Sequence, residues 1–135
     1  MKLNLTLFEG ITEESKICVK CKEDLPLSSF SNASGGNYLR SECRLCEKDL
    51  TKIRKQIKKS APVPPKDHKC PICQRTSEEV LGEGGKKSGE WCCDHNHKTN
   101  KFRGWLCHSC NRALGNFVDD IDRLERAIKY LKNET

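Results

Sequence analysis

Four Cys-x-x-Cys pairs constrain this chain more than anything else in it: Cys18/Cys21, Cys43/Cys46, Cys70/Cys73 and Cys107/Cys110. A two-residue spacer lets a tight turn aim both thiolates at one ion, and two such turns complete a tetrahedral Zn²⁺ site. The pairs fall into two sets on either side of a proline-rich stretch, so the spacing predicts two four-cysteine sites. Four protein ligands leave no open coordination position, which makes both ions structural. The unfolded chain has no preformed site, so binding free energy would serve folding. Such help is needed. Only 35% of the 135 residues are hydrophobic and 6% aromatic, a poor supply of side chains for an apolar core.

Disulfides are the competing use for ten cysteines. A secreted chain would open on a continuous apolar stretch, whereas residues 1–16 merely alternate Leu3, Leu5 and Leu7 and read as a short strand. The expectation is an intracellular protein with reduced thiols, and with no segment of membrane-spanning length. Iron is the chemical alternative at four-cysteine sites, but nothing around these cysteines suggests redox work. Cys92 and Cys93 are left over. Neighbours in a strand point to opposite faces, so they are expected to be small buried side chains and not a joint ligand pair. His68 and His108, close to the cysteine pairs, are expected to be exposed and uninvolved.

The organisation follows from these sets. Residues 1–60 form an N-terminal four-cysteine zinc module ending in a basic helix over 47–60, with Leu50, Ile53 and Ile57 at helical spacing. Residues 61–69, with Pro62, Pro64 and Pro65, form a stiff extended linker. Residues 70–135 form a second zinc-bearing domain closed by a helix over 119–132, opened by Asp119 and Asp120 as caps. Both halves run CxxC, insert, CxxC, helix, which is read as two zinc modules and not a solenoid. The fold class is small α+β, zinc-stabilised.

Residues 67–118 hold the second cysteine set and the densest chemistry. Residues 90–95 read as a strand, 98–101 as a turn, 102–106 as a second strand, with a helix from about Asn111. A hairpin and a helix start locked by one zinc would bring Asp94 and His95 near Asn111. Phosphodiester hydrolysis needs a water made nucleophilic, and a cation at the phosphate and leaving oxygen. His95 can accept a proton near neutrality, its type titrating at about 6.5. Asp94 and the Asn111 amide oxygen are hard ligands suited to Mg²⁺. His97 could donate to the phosphate or its leaving oxygen, and Lys101 and Arg103 supply charge for the backbone.

CPIC (70–73), DHNH (94–97) and RGWLCHSCNRALG (103–115), in that order, resemble the phage recombination endonuclease VII family, an HNH-type group. The resemblance covers residues 70–117. It implies a ββα-metal (HNH) nuclease core; the N-terminal module ahead of that core departs from the family's pattern and is similar to modules preceding HNH domains in phage and mobile-element nucleases. It implies His95 as general base, Asp94 and Asn111 as ligands of one Mg²⁺ or Mn²⁺, His97 as the second motif histidine, and Cys70, Cys73, Cys107 and Cys110 as zinc ligands. The products it implies are 5′-phosphate and 3′-hydroxyl ends.

The partner expected is DNA; the charge is mild and fits a nucleic-acid partner better than an acidic protein. The net charge is +6, and the helix over 47–60 carries Lys48, Lys52, Arg54, Lys55, Lys58 and Lys59, suited to salt-dependent, sequence-independent phosphate binding. Ile121, Leu124, Ile128 and Leu131 make a short a/d seam. It serves either intramolecular packing or a homodimer. A monomer would nick, and a dimer could cut both strands. The rival reading is a zinc-ribbon DNA-binding protein without catalysis. Such a module has no need of Asp94, His95, His97 and Asn111 together.

Overall fold

The structure, a computed structural model, describes residues 13–133. In chain order it contains β1 (Ser15–Ile17), β2 (Asp24–Pro26), a 3₁₀ turn (Leu27–Ser29), β3 (Phe30–Asn32), β4 (Leu39–Cys43), α1 (Arg44–Ser60), α2 (Ser77–Val80), β5 (Trp91–His95), β6 (Phe102–Cys107), α3 (His108–Asn116) and α4 (Ile121–Leu131). The strands pair as antiparallel hairpins, β1 with β2, β3 with β4 and β5 with β6. The result is small α+β. The strand expected from Leu3, Leu5 and Leu7 lies outside the described residues. The chain divides into two units between Arg54 and Lys55, inside α1.

The echo between the halves extends to backbone detail. In the first unit the Cys18 carbonyl accepts from Lys22 N at 2.9 Å, and Cys18 N donates to Glu23 O at 2.9 Å. In the second, the Cys70 carbonyl accepts from Gln74 N at 2.8 Å and Cys70 N donates to Arg75 O at 3.0 Å. The residue after each second cysteine, Lys22 (φ 64°) and Gln74 (φ 62°), takes the left-handed conformation that closes the turn. The other pair of each set sits where a strand runs into a helix: Cys43 ends β4 and Cys46 lies in the first turn of α1, while Cys107 ends β6 and Cys110 lies in the first turn of α3.

Each unit is built around its cysteines because little else is available. In the first, Cys18, Phe30 and Cys43 are buried, with Leu25, Leu39 and Cys46 packed against them. Phe30 pairs with Cys43 across the β3–β4 hairpin, and Lys16 Nζ lies 5.3 Å from the Phe30 ring centroid, a cation–π contact that covers the ring. In the second, Cys70, Val80, Leu106 and Cys107 form the core, flanked by Trp91 and Leu114. Val80 is driven inward by the short α2, whose start is held by a capping box of Thr76 and Glu79. That box satisfies backbone donors that a one-turn helix would leave orphaned.

The proline segment is pinned. Pro62 O accepts the Trp105 indole N–H at 2.7 Å. His68, expected to be exposed, bonds through Nε2 to Trp105 O at 3.0 Å and stands edge-on to Trp91 at 4.6 Å. α1 begins at Arg44, earlier than the basic stretch alone suggests, because the strand runs straight into it. Among the described residues no helix is long and apolar enough to cross a membrane.

Candidate functional site

The β5–β6 hairpin registers residue for residue from Trp91↔Cys107 to Asp94↔Gly104, then slips, so that His95 faces Phe102. Arg103 is the extra residue. A bulge re-aims the side chain it carries, and Arg103 turns back on Asp94. Its Nε meets Asp94 Oδ2 at 2.6 Å and its Nη2 meets Oδ1 at 3.1 Å, a bidentate pair. Asp94 is the buried charged side chain among the described residues, with 7% exposure. A carboxylate so placed requires a cationic partner. Arg103, expected to offer charge to a phosphate backbone, is therefore committed to Asp94 in this state. Asp94 in turn raises the guanidinium pKa above its ordinary value.

Past His95 the chain turns on Asn96. Its side-chain oxygen accepts from Lys98 N at 2.8 Å and Thr99 N at 3.0 Å, and Asn96 N donates to Lys101 O at 2.9 Å. The middle asparagine of the DHNH run thus staples the turn, and His95 and His97 flank it with ring centroids 4.7 Å apart. His95 is half-buried and His97 exposed. His97 Nε2 lies 3.4 Å from Asp119 Oδ2, and that oxygen is also 3.3 Å from Arg103 Nη2. The structure therefore joins Asp94, Arg103, Asp119 and His97 in one polar chain. Asn111 stands one residue past Cys110 in α3, a helix packed on both β5 and β6. Lys101, at the hairpin tip, is exposed, as are Lys52, Arg54, Lys55, Lys58 and Lys59 along α1.

Asp119, expected as a helix cap beside Asp120, does not act as one. The cap is Asp120, whose side chain accepts from Arg123 N at 3.0 Å. Helix α4 begins at Ile121. Nothing in the sequence marks Asp119 as a site residue, because its position depends on how the chain reverses after α3.

The cysteine clusters are well formed. In each set the four Sγ atoms lie within 4.8 Å of one another. Cys73 and Cys107 Sγ are 3.7 Å apart, matching the edge of about 3.8 Å for four sulfurs roughly 2.3 Å from a central ion. Both sets could hold zinc. Electrostatically they differ. At the second set Arg75 donates from Nε to Cys73 Sγ at 3.3 Å and from Nη2 to Cys107 Sγ at 3.4 Å. It is anchored through Nη1 by Glu83 Oε1 at 2.5 Å, and Glu83 Oε2 accepts Ser109 N of α3 at 3.3 Å. The Arg75 contact is the main reason the Cys73 thiol falls from 9.0 to about 6. At the first set, burial raises Cys18, but donation from the backbone of Cys21, Cys43 and Lys20 outweighs it and brings that thiol to about 6. Burial and neighbouring thiols push Cys46 up to about 12.

His108, expected to be exposed and uninvolved, does not point outward. Its Nδ1 meets Cys92 Sγ at 3.0 Å and its Nε2 meets Gly89 O at 2.8 Å. The ring lies where a Cβ on Gly84 would stand, so glycine there lets the 82–90 loop close over the start of α3. Cys92 and Cys93 are half-buried, and burial raises both thiols, in keeping with packing roles.

A hairpin and a helix drawn together by a four-cysteine cluster, with a buried carboxylate and a histidine at the end of the first strand, define a cysteine-clamped ββα unit. The family model for recombination endonuclease VII matches residues 51–133, and the chain belongs to that family. It is 44% identical over 66 residues to the Gene 59 protein of Mycobacterium phage L5, covering 48% of this chain and 35% of that one. It is 43% identical over 65 residues to the Gene 59 protein of Mycobacterium phage D29, covering 47% and 34%. The chain thus spans about a third of the length of these curated relatives. Among solved structures it is similar to the beta-beta-alpha-Me type II restriction endonuclease Hpy99I, with 31% identity, a TM-score of 0.48, and coverage of 90% of this chain and 66% of that one.

Proposed function

We propose that the protein is a divalent-metal-dependent DNA endonuclease of the HNH (ββα-metal) type, with His95 as general base. The observation that carries this reading is the placement of Asp94 and His95 at the end of β5, against a helix on which Asn111 directly follows the cluster cysteine Cys110. Membership of an endonuclease family supports it. Residues 1–60 serve as a structural zinc module, 61–69 as the connection, and 70–135 as the nuclease domain. Two Zn²⁺ ions, each closed off by four thiolates, build the scaffold and take no part in the chemistry.

The donors at the junction fit a catalytic Mg²⁺ or Mn²⁺. Asp94 and the Asn111 amide oxygen are hard ligands, and Asp94 already sits against a cation in Arg103, so the position is built to hold an anion facing positive charge. When bound, the ion would stabilise charge on the scissile phosphate and the leaving oxygen. His95 takes the proton of the attacking water at an imidazole nitrogen. His97 donates toward the phosphate. Lys101, Lys52, Arg54, Lys55, Lys58 and Lys59 neutralise the DNA backbone, while Arg103 stays with the carboxylates of the site. Hydrolysis leaves 5′-phosphate and 3′-hydroxyl ends. One site cuts one strand, so a monomer nicks. A homodimer formed through Ile121, Ile128 and Leu131, all exposed on α4, would cut both strands or a junction. The phage relatives support a protein of phage or mobile-element origin acting inside the cell.

The test compares wild type with His95→Ala on supercoiled plasmid and on a four-way junction in Mg²⁺, with zinc content measured for both. Wild type is expected to cut and the variant to bind zinc and DNA without cutting. If neither cuts while both bind DNA, the non-catalytic zinc-ribbon reading replaces this one.

A further inference from the structure

Arg103 is shared by two carboxylates. It grips Asp94 through Nε and Nη2, and the same Nη2 reaches Asp119 Oδ2 at 3.3 Å. The backbone that presents Asp119 is unusual. Val118 and Asp119 are consecutive non-glycine residues at φ 54° and 53°. The left-handed region is strained for a β-branched residue, and such strain persists where the surroundings require it. Here it reverses the chain between α3 and α4, with Val118 N bonded to Gly115 O at 2.9 Å and Asp119 N to Leu114 O at 3.0 Å. Asp120 is left to cap α4, and Asp119 faces the hairpin. In front of the group lies a cleft of about 760 Å³ lined by Asn96, His97, Arg103, Val118 and Asp119, which gives the guanidinium room to move.

A guanidinium bound bidentately to Asp94 competes with any other cation for that carboxylate. Its five donors form a fork that can engage two acceptors at once. We propose that Asp119 is a positioning residue for Asp94: it is the carboxylate to which Arg103 transfers its hydrogen bonds when a divalent cation takes Asp94. The inference rests on Asp94 being a ligand of that cation. Asp119 acts through Arg103 and need not touch the ion.

The experiment is Mn²⁺ binding to the zinc-loaded full chain, read as loss of the free-ion electron paramagnetic resonance signal. It compares wild type, D94N, D119N, R103Q, R103K and the D119N/R103Q double variant, each checked for zinc content and circular dichroism. Asparagine is tolerated in the left-handed region, so D119N should keep the backbone. D119N is expected to weaken Mn²⁺ binding about fivefold to tenfold, a usual coupling within one ion-pair network. In the R103Q background the same change should have no effect. In a further D119N/R103K double variant, in which the charge is kept and the fork lost, D119N should cost less than in wild type. Wild-type affinity in D119N overturns the inference. So does an equal loss with and without Arg103, because Asp119 would then act on the ion directly. If D94N binds Mn²⁺ as wild type does, the metal assignment itself falls and takes this inference with it. That result differs from the two preceding ones, in which D94N loses binding.

Discussion

Replacing Arg75 with methionine should weaken one zinc site and leave the other untouched. A dication held by four thiolates keeps an excess of two negative charges, which Arg75 meets with N–H···S contacts of 3.3 and 3.4 Å to Cys73 and Cys107. Methionine preserves much of the side-chain volume and removes both donors. Loss of such an outer partner typically costs about 10- to 100-fold in metal affinity, and the two contacts to separate thiolates place the expectation in the upper half of that range. The first cluster relies on backbone donors, with Cys43 N at 3.3 Å from Cys18 Sγ, and thus serves as an internal control. The pH dependence has a definite sign. The Arg75 guanidinium is the largest of several donors that hold the Cys73 thiol down from 9.0 to about 6, so its share is complete above pH 9 and is lost as pH falls through about 6. The variant must displace an additional proton at neutral pH, and its affinity should rise more steeply with pH between those values. Competition with a chromophoric chelator, following release of the two zinc equivalents from pH 6 to 9, reads both effects. Equal weakening of both sites, or unchanged affinity and slope at the second cluster, would refute the reasoning.

Leu106→Ala removes a side chain with 5% exposure from a core otherwise made of Cys70, Val80 and Cys107, and should cost about 2–5 kcal/mol in zinc-loaded urea unfolding; a loss below about 1 kcal/mol, by the same principle, would mean that the cluster and not the apolar packing holds β6. Lys55, Lys58 and Lys59 are exposed on α1. Changing all three to alanine should weaken DNA binding on every sequence alike and reduce the slope of log affinity against log salt by about 0.9 for each phosphate no longer neutralised. An unchanged slope would remove this face from the DNA footprint.

Much of the molecule is legible in the sequence because its strongest signals are covalent and local. The CxxC spacing defines a turn by itself, and the structure gathers those eight cysteines into two clusters. Alternation and turn residues place β5 and β6 to within a residue, and the order of CPIC, DHNH and RGWLCHSCN carries the family. Helix starts are less accurate. α3 opens at His108 and not Asn111, since its cap is the Cys107 thiolate, which accepts from Cys110 N at 3.4 Å, and cysteine is not a customary capping residue.

Residue types and spacing were enough to anticipate the two four-cysteine clusters and the hairpin-and-helix order, because each depends on turns and alternation set by neighbours a few positions apart. The partnerships among charges were decided only in three dimensions. A one-residue bulge turned Arg103 from an expected phosphate contact into the partner of Asp94, a strained reversal made Asp119 its second acceptor, and Arg75 and Glu83 came to support one cluster from outside it. These pairings join residues up to 32 positions apart, as from Arg75 to Cys107. A charged side chain in a sequence looks the same whether it will meet solvent, a phosphate or a buried carboxylate, because its partner is chosen by the desolvation that only the packed structure imposes.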